Sequence, residues 1–241
     1  MFWRGIFHAT LFASFSRFNT GRNHVKMRAM KSSSACEMIT IMRSGYIAAL
    51  VLLAPVPAAA DGEILSLITE ADKARLAQHE TARATALDEA REGGSADDVA
   101  TLEQILSKEQ LPFSGLDLSG SWQCRTIKAG GLASLVIYDW FRCRITDDGS
   151  GWRLTKETGS QRTMGRFFTD SDTRLTYLGS FYVAGDKPPP YGSGAETDQV
   201  GYAFRSGEAE WRIEFPLPAR ESKLDILEFR HVPIPSESDR R

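Results

Sequence analysis

Residues 112–231 alternate between apolar and polar positions in short runs. Trp211, Ile213 and Phe215 fall on one side and Glu210, Arg212 and Glu214 on the other, and Val200, Tyr202 and Phe204 repeat the pattern. A period of two is that of a strand whose successive side chains point to opposite faces. Eight strands are predicted, near 119–128, 135–146, 151–157, 161–169, 173–183, 199–205, 209–215 and 221–231. Most joints are hairpin-like clusters, such as Asp147–Gly151, Glu157–Ser160, Asp170–Asp172 and Ser206–Glu208. One joint, Gly185–Gln199, is long and carries Pro188, Pro189 and Pro190. A meander of short antiparallel strands removes its edges by closing, so an eight-stranded up-and-down barrel is expected.

Upstream, residues 64–92 are rich in Ala, Glu, Arg and Leu, lack Pro and stop at Gly93–Gly94. Their apolar stripe, Ile64, Leu65, Leu67, Ile68, Leu76 and Leu87, thins along the segment. Ser95–Asp98 resembles a capping box, and Val99, Leu102, Ile105 and Leu106 recur at helical spacing towards Leu111–Pro112. Two helices are therefore expected. Stripes this modest are marginal in water, so the helices need a surface to dock on. The outer face of the first hairpin offers one, with Ile127, Tyr138 and Trp140 beside Arg125, Arg142 and Arg144. Strand 173–183 is apolar on both sides, and contiguous exposed apolar surface is rare.

The 241 residues, 42% hydrophobic and 25% charged, exclude collagen-like, fully disordered and disulfide-dense classes. The net charge of −2 hides an asymmetry: residues 1–60 hold 7 Lys+Arg against 1 acid, and residues 61–241 hold 22 against 30. An acidic remainder argues against nucleic acid as a partner. Within the basic part, Met42–Arg43 precedes the apolar run Tyr46–Val56 and then Pro57–Ala60, in the order of a secretory signal peptide cleaved after Ala60. The run is too short to span a bilayer, which takes about 20 apolar residues, so no stable membrane insertion is expected after cleavage. Residues 1–41 carry no period and several internal methionines, Met27, Met30 and Met38, and are read as a non-native upstream extension with Met42 as the start. The rival reading is a mitochondrial-type presequence. The division expected is 1–41 extension, 42–60 signal, 61–111 helical segment, 112–233 barrel and 234–241 disordered tail.

Export leaves two cysteines, Cys124 and Cys143, and in an oxidising compartment such a pair is read as a disulfide. If they face each other across the first hairpin, paired positions sum to 267. Trp122 then lies opposite Ile145, Thr126 opposite Phe141 and Lys128 opposite Asp139, with the turn between Ala133 and Ser134. A closed loop of about 20 residues contributes roughly 3 kcal/mol in the chain-entropy model.

Chemistry is sparse. Arg125, Arg142 and Arg144 suit a carboxylate or phosphate, or else pair with strand acids such as Glu221, Asp225 and Glu228. Trp122, Tyr138, Trp140, Tyr177, Tyr182 and Trp211 either line a ligand cavity or fill a small barrel. Ser222 and Lys223 point to opposite faces of a strand, which disfavours a Ser/Lys nucleophile. His79 and His231 have no ligand spacing to the cysteines, and no cofactor fingerprint is present, so no metal, cofactor or catalytic residue is assigned.

Two resemblances follow. Leu118–Trp122 resembles the Gly-x-Trp opening of lipocalin-type barrels, in which a first-strand Trp is covered by an Arg from the last strand, here Arg220 or Arg230. Trp122–Lys128, Tyr138–Ile145, Gly159–Arg162, Tyr177–Gly179 and Glu221–Leu227 together resemble the exported bacterial family known as domain of unknown function 4893. That resemblance implies kinship over most of residues 64–231 and no activity. The expected role is a periplasmic or secreted barrel that binds a small molecule or an envelope protein. The alternatives are a hydrolase inhibitor using the Pro188–Tyr191 loop as a plug, and an enzyme with a polar site in the barrel.

Overall fold

The computed structural model describes residues 61–231. The segments expected to be a signal peptide cleaved after Ala60, an upstream extension over 1–41 and a disordered tail over 234–241 lie outside the described residues.

Four helices, α1 (Asp61–Leu67), α2 (Glu70–Ala77), α3 (His79–Gly93) and α4 (Ala96–Ser107), precede nine strands. These are β1 (Gly120–Gly131), β2 (Leu135–Ile137), β3 (Phe141–Asp147), β4 (Trp152–Lys156), β5 (Gln161–Ser171), β6 (Arg174–Val183), β7 (Asp198–Arg205), β8 (Glu210–Pro216) and β9 (Ser222–Arg230). Each barrel strand pairs antiparallel with its sequence neighbour, and β1 pairs with β9, from Gln123↔Arg230 to Gly131↔Ser222, which closes the sheet. The result is an eight-stranded barrel in which β2 and β3 are one strand interrupted at Tyr138–Trp140.

The first hairpin departs from the expected register. Trp122 lies opposite Cys143 and Cys124 opposite Phe141, while Lys128 pairs with Val136 rather than with Asp139. Gly130 and Gly131, at φ 68° and 102°, turn the chain early, and the Gly130 amide donates to the Ser134 carbonyl at 2.9 Å. The turn is thus centred near Leu132, and the interruption at Tyr138–Trp140 absorbs a one-residue change of register between β2 and β3. Between β1 and β3 the slip is two residues, which preserves the side chains that face inward because strand parity is two, whereas between β1 and β2 it is three, which reverses the facing of Leu135, Val136 and Ile137. Cys124 and Cys143 form a disulfide diagonally across this hairpin, both fully buried.

One end of the barrel is filled. Trp122, Ile145, Leu154, Phe167, Tyr177, Trp211 and Phe229 pack there around the disulfide, with Phe113 and Leu118 from the segment before β1. Trp211 stacks on Phe229 with ring centroids 3.6 Å apart, and the Trp122 indole donates to the Leu118 carbonyl at 2.7 Å. Tyr177 fits because Gly165 and Gly179 face each other across β5 and β6; a Cβ on either would sit within 2.6 Å of its ring.

The helices cover the outside of β1, β8 and β9, where Ile127, Ala129, Leu224 and Ile226 meet Ala86, Ala90, Leu102, Ile105 and Leu106. The helical lead is more broken than expected. Thr69 caps α2 by accepting from the Asp72 amide at 3.2 Å, and Gln78, at φ −98° and ψ 6°, separates α2 from α3. Helix α4 ends at Ser107 because the chain beyond it turns extended and Leu111 bridges to Arg205. The buried stripe is Asp72, His79, Ala82, Ala86 and Ala90, not the leucines, and Leu65 and Leu67 are exposed. Small residues are required there, since a Cβ on Gly130 of β1 would lie 3.1 Å from the Ala86 backbone. Beneath α3, Glu214 binds His79 at 3.0 Å and Arg212 at 2.7 Å, with Arg83 at 3.3 Å. Burial alone would raise the Glu214 carboxyl; the hydrogen bond to His79 and the Arg212 and Arg83 guanidiniums hold it below its ordinary range.

Candidate functional site in the barrel mouth

The other end of the barrel is polar and open. Strand parity puts Thr126 and Lys128 of β1 on the inward side with Trp122 and Cys124, Lys156 of β4 with Leu154, and Asp225 of β9 with Leu227 and Phe229. Gln161, Thr163, Phe181 and Gln199 continue this ring around β5, β6 and β7. They line a pocket with about 770 Å³ of empty space, solvent at its mouth included. Its apolar wall is Phe181, Val200, Phe215 and Leu227, and its rim carries Arg75, Arg162, Glu196, Asp198 and Arg220. A second hollow, lined by Tyr138, Phe141, Gly159 and Ser160, shares Thr126, Lys156 and Gln161 with it.

The rim between β8 and β9 is held by unusual backbone. Leu217 and Glu221 adopt positive φ, 46° and 71°, a region that non-glycine residues enter at a cost. This places the Glu221 carboxylate 2.5 Å from Lys128 Nζ, with Asp225 4.0 Å from the same ammonium. Burial works against the Lys128 charge, but Asp225 and Glu221 outweigh it and keep that group protonated above its ordinary range. Burial pushes the Asp225 carboxyl up to about 6, although the Ser222 hydroxyl donates to it and Lys128 lies nearby.

Lys156 differs. Only 5% exposed, its ammonium donates to Thr126 Oγ1 at 3.1 Å and rests 4.4 Å from the Phe141 ring centre. Burial pulls it down to about 8; Lys128 and Arg162 push the same way against Asp225. Gln199 adds a buried side-chain oxygen with no partner among the described residues.

The residues singled out from the sequence disperse. Trp122 and Tyr177 are packed in the filled end, Tyr177 with its hydroxyl on Thr163 at 2.7 Å. Tyr138 is exposed and lines the second hollow. Trp140 lies between the Arg125 and Arg230 guanidiniums, 4.7 and 3.9 Å from its ring centre. Arg125 pairs with Glu228 at 2.5 Å, Arg144 with Glu157 at 2.9 Å, and Arg142, opposite Gln123, is exposed. The three arginines therefore do not converge. Arg230 covers Trp140 and Arg220 faces Phe181, whereas Trp122 meets Trp211 and His231, so the lipocalin-type Arg cover on Trp122 is not formed. Lys223 reaches Glu89 of α3, away from Ser222. The ring of Lys128, Lys156 and Asp225 was missed, although counting polar residues at inward parity signals it.

Among the described residues no helix is long and apolar enough to cross a membrane, and no group of three His, Cys, Asp or Glu is placed to hold a metal. Comparison with curated proteins and with solved structures gives no match. A family model does match residues 65–229, the span of helices and barrel in which this mouth is built, and the chain accordingly belongs to the family described as Domain of unknown function (DUF4893).

Proposed function

We propose that the protein is an exported barrel that binds a small molecule in its polar mouth. The observation that carries this reading is the division of the interior: aromatic and aliphatic side chains fill one end, while the other leaves a pocket lined by buried charges and an apolar wall. Concave sites of mixed apolar and convergent polar lining are where small ligands bind, and the mouths of barrels are a common place for them. Lys156 is buried with a hydroxyl rather than a carboxylate beside it, which costs folding free energy, and a buried charge of this kind in a concave site is a candidate ligand-binding group. The Pro188–Tyr191 loop is less suited to plugging a foreign cleft. The Ser180 hydroxyl holds the Pro189 carbonyl at 2.6 Å, and the Tyr191 hydroxyl donates to Asp72 at 2.5 Å, so it is tied to its own barrel and to α2. Export is supported by the signal-like segment at 42–60 and by the disulfide.

Native mass spectrometry of the protein recovered from the periplasm tests both parts. The expected result is a chain beginning at Asp61, two hydrogens lighter for the disulfide, carrying a non-covalent adduct lost on denaturation. A bare chain that no member of a metabolite panel stabilises against heat overturns the binding reading, and an uncleaved chain retained in the cytosol overturns export.

A further inference from the structure

We propose that the barrel mouth takes an organic anion, its carboxylate or phosphate seated on Lys156 and Arg162 and its apolar part against Phe181 and Phe215. This rests on the small-molecule reading above and adds the charge and shape of the ligand.

The argument begins with unequal pairing. Buried lysines are ordinarily matched by a carboxylate. Lys128 is matched, by Glu221 at 2.5 Å and Asp225 at 4.0 Å. Lys156, equally buried, meets the Thr126 hydroxyl and the Phe141 ring, and no carboxylate of the described residues lies within 4.0 Å of it. Arg162 donates from Nε to the Gly159 carbonyl at 3.0 Å and likewise has no carboxylate within that distance among the described residues. The acids around the mouth are already engaged. Asp225 accepts from Ser222, Glu196 pairs with Arg220 at 3.3 Å, and Asp198 accepts from the Gly192 and Gly194 amides at 3.0 and 3.3 Å.

The inner wall of the pocket thus carries Lys128 and Lys156 with Arg162 at the adjoining rim, and these like charges repel one another in a medium less polarisable than water. An anion entering the mouth relieves that repulsion and supplies the partner that Lys156 lacks, through charge-assisted hydrogen bonds. The opposite wall is apolar, so a bare inorganic anion uses half of the site. Carboxylate and phosphate share the needed chemistry, and the choice between them is left to the measurement.

Isothermal titration of the disulfide-bonded protein with hexanoate, phenyl phosphate, inorganic phosphate, hexanamide and hexylamine tests this. Hexanoate or phenyl phosphate should bind at least about tenfold more tightly than hexanamide, hexylamine or inorganic phosphate. Hexyl phosphate, which carries an alkyl tail like that of hexanoate, is then set against hexanoate to identify the head group. Lys156→Met should weaken the preferred anion by about tenfold or more, while Lys156→Arg retains it. Near pH 8 the heats in Hepes and Tris should differ, because closing an anion on Lys156 takes up a proton; the groups that face it are Lys128, Arg162, Asp225 and Thr126. Equal binding of hexanamide and hexanoate, or an unchanged affinity in Lys156→Met, overturns the anion assignment and leaves the pocket standing. Failure of every probe to bind overturns both.

Discussion

The ammonium of Lys156 is 3.1 Å from the hydroxyl of Thr126, and this hydroxyl is its hydrogen-bonding partner among the described residues although the lysine is 5% exposed. A buried cation matched by one neutral hydroxyl costs stability, since desolvation is not offset by an opposite charge. Lys156→Met keeps the side chain's length and apolar stem and should stabilise the unliganded protein by about 1–4 kcal/mol, read from urea unfolding. The gain carries a pH signature. The Lys156 amine is depressed to about 8 in the folded chain from an ordinary 10.5, so wild type recovers stability as pH rises from about 8 towards 10.5. The advantage of the variant should shrink across that window; a constant difference, or a destabilised variant, contradicts this account of the mouth.

Asp225 has the opposite sign. Its carboxyl is raised from 3.8 to about 6, so the folded state holds a proton that the unfolded chain has lost between those values. Its contribution is full below pH 3.8 and is lost as pH rises through 6. Asp225→Asn should therefore flatten the fall in stability from pH 4 to 6, a slope that urea midpoints at successive pH values measure directly.

Beneath α3, Glu214 is the shared carboxylate of His79, Arg83 and Arg212, and Arg212 is 1% exposed. Glu214→Gln leaves that guanidinium buried without a counter-charge and should cost about 3–5 kcal/mol. Because the Glu214 carboxyl titrates below its ordinary 4.5, the wild-type contribution is present above that pH and is lost as the pH falls through the lowered value. Acid unfolding of wild type should accordingly include a step that the Gln variant lacks.

Two constraints hold the filled end. Replacing Cys124 and Cys143 together by Ser removes a cross-link across 19 positions and should cost about 2–5 kcal/mol, visible as a lower midpoint that added reductant no longer shifts. Gly179→Ala drives a methyl into the Tyr177 ring and the Met164 carbonyl and should cost about 1–3 kcal/mol by overpacking. A Gly179→Ala protein as stable as wild type removes the role assigned to the glycine pair.

Much of the architecture was legible in the chain. Alternation such as Trp211, Ile213, Phe215 against Glu210, Arg212, Glu214 marks strands whatever their partners, because it reflects a backbone geometry of period two. Turn residues separated eight such runs and two cysteines specified the disulfide; of the outer face expected to need a helical cover, α3 and α4 cover Ile127, whereas Tyr138 stays exposed and Trp140 lies between two arginines. The register of the first hairpin was not legible: pairing Cys124 with Phe141 rather than Cys143 leaves the side chains of β3 on the same face, and the further one-residue shift that reverses β2 comes from the early turn at Gly130–Gly131.

The site was hidden for a different reason. Lys128, Lys156, Arg162 and Asp225 come from four strands spread over about a hundred positions, and each alone reads as an ordinary surface charge. By itself the sequence determined the parity of the strands other than β2, closure and the cross-link, which depend on local geometry and on the presence of two thiols. Only the closed tertiary structure decided which charges share the mouth and which of them lack a partner. Distance and burial across a barrel are properties of all its strands at once, and no single segment encodes them.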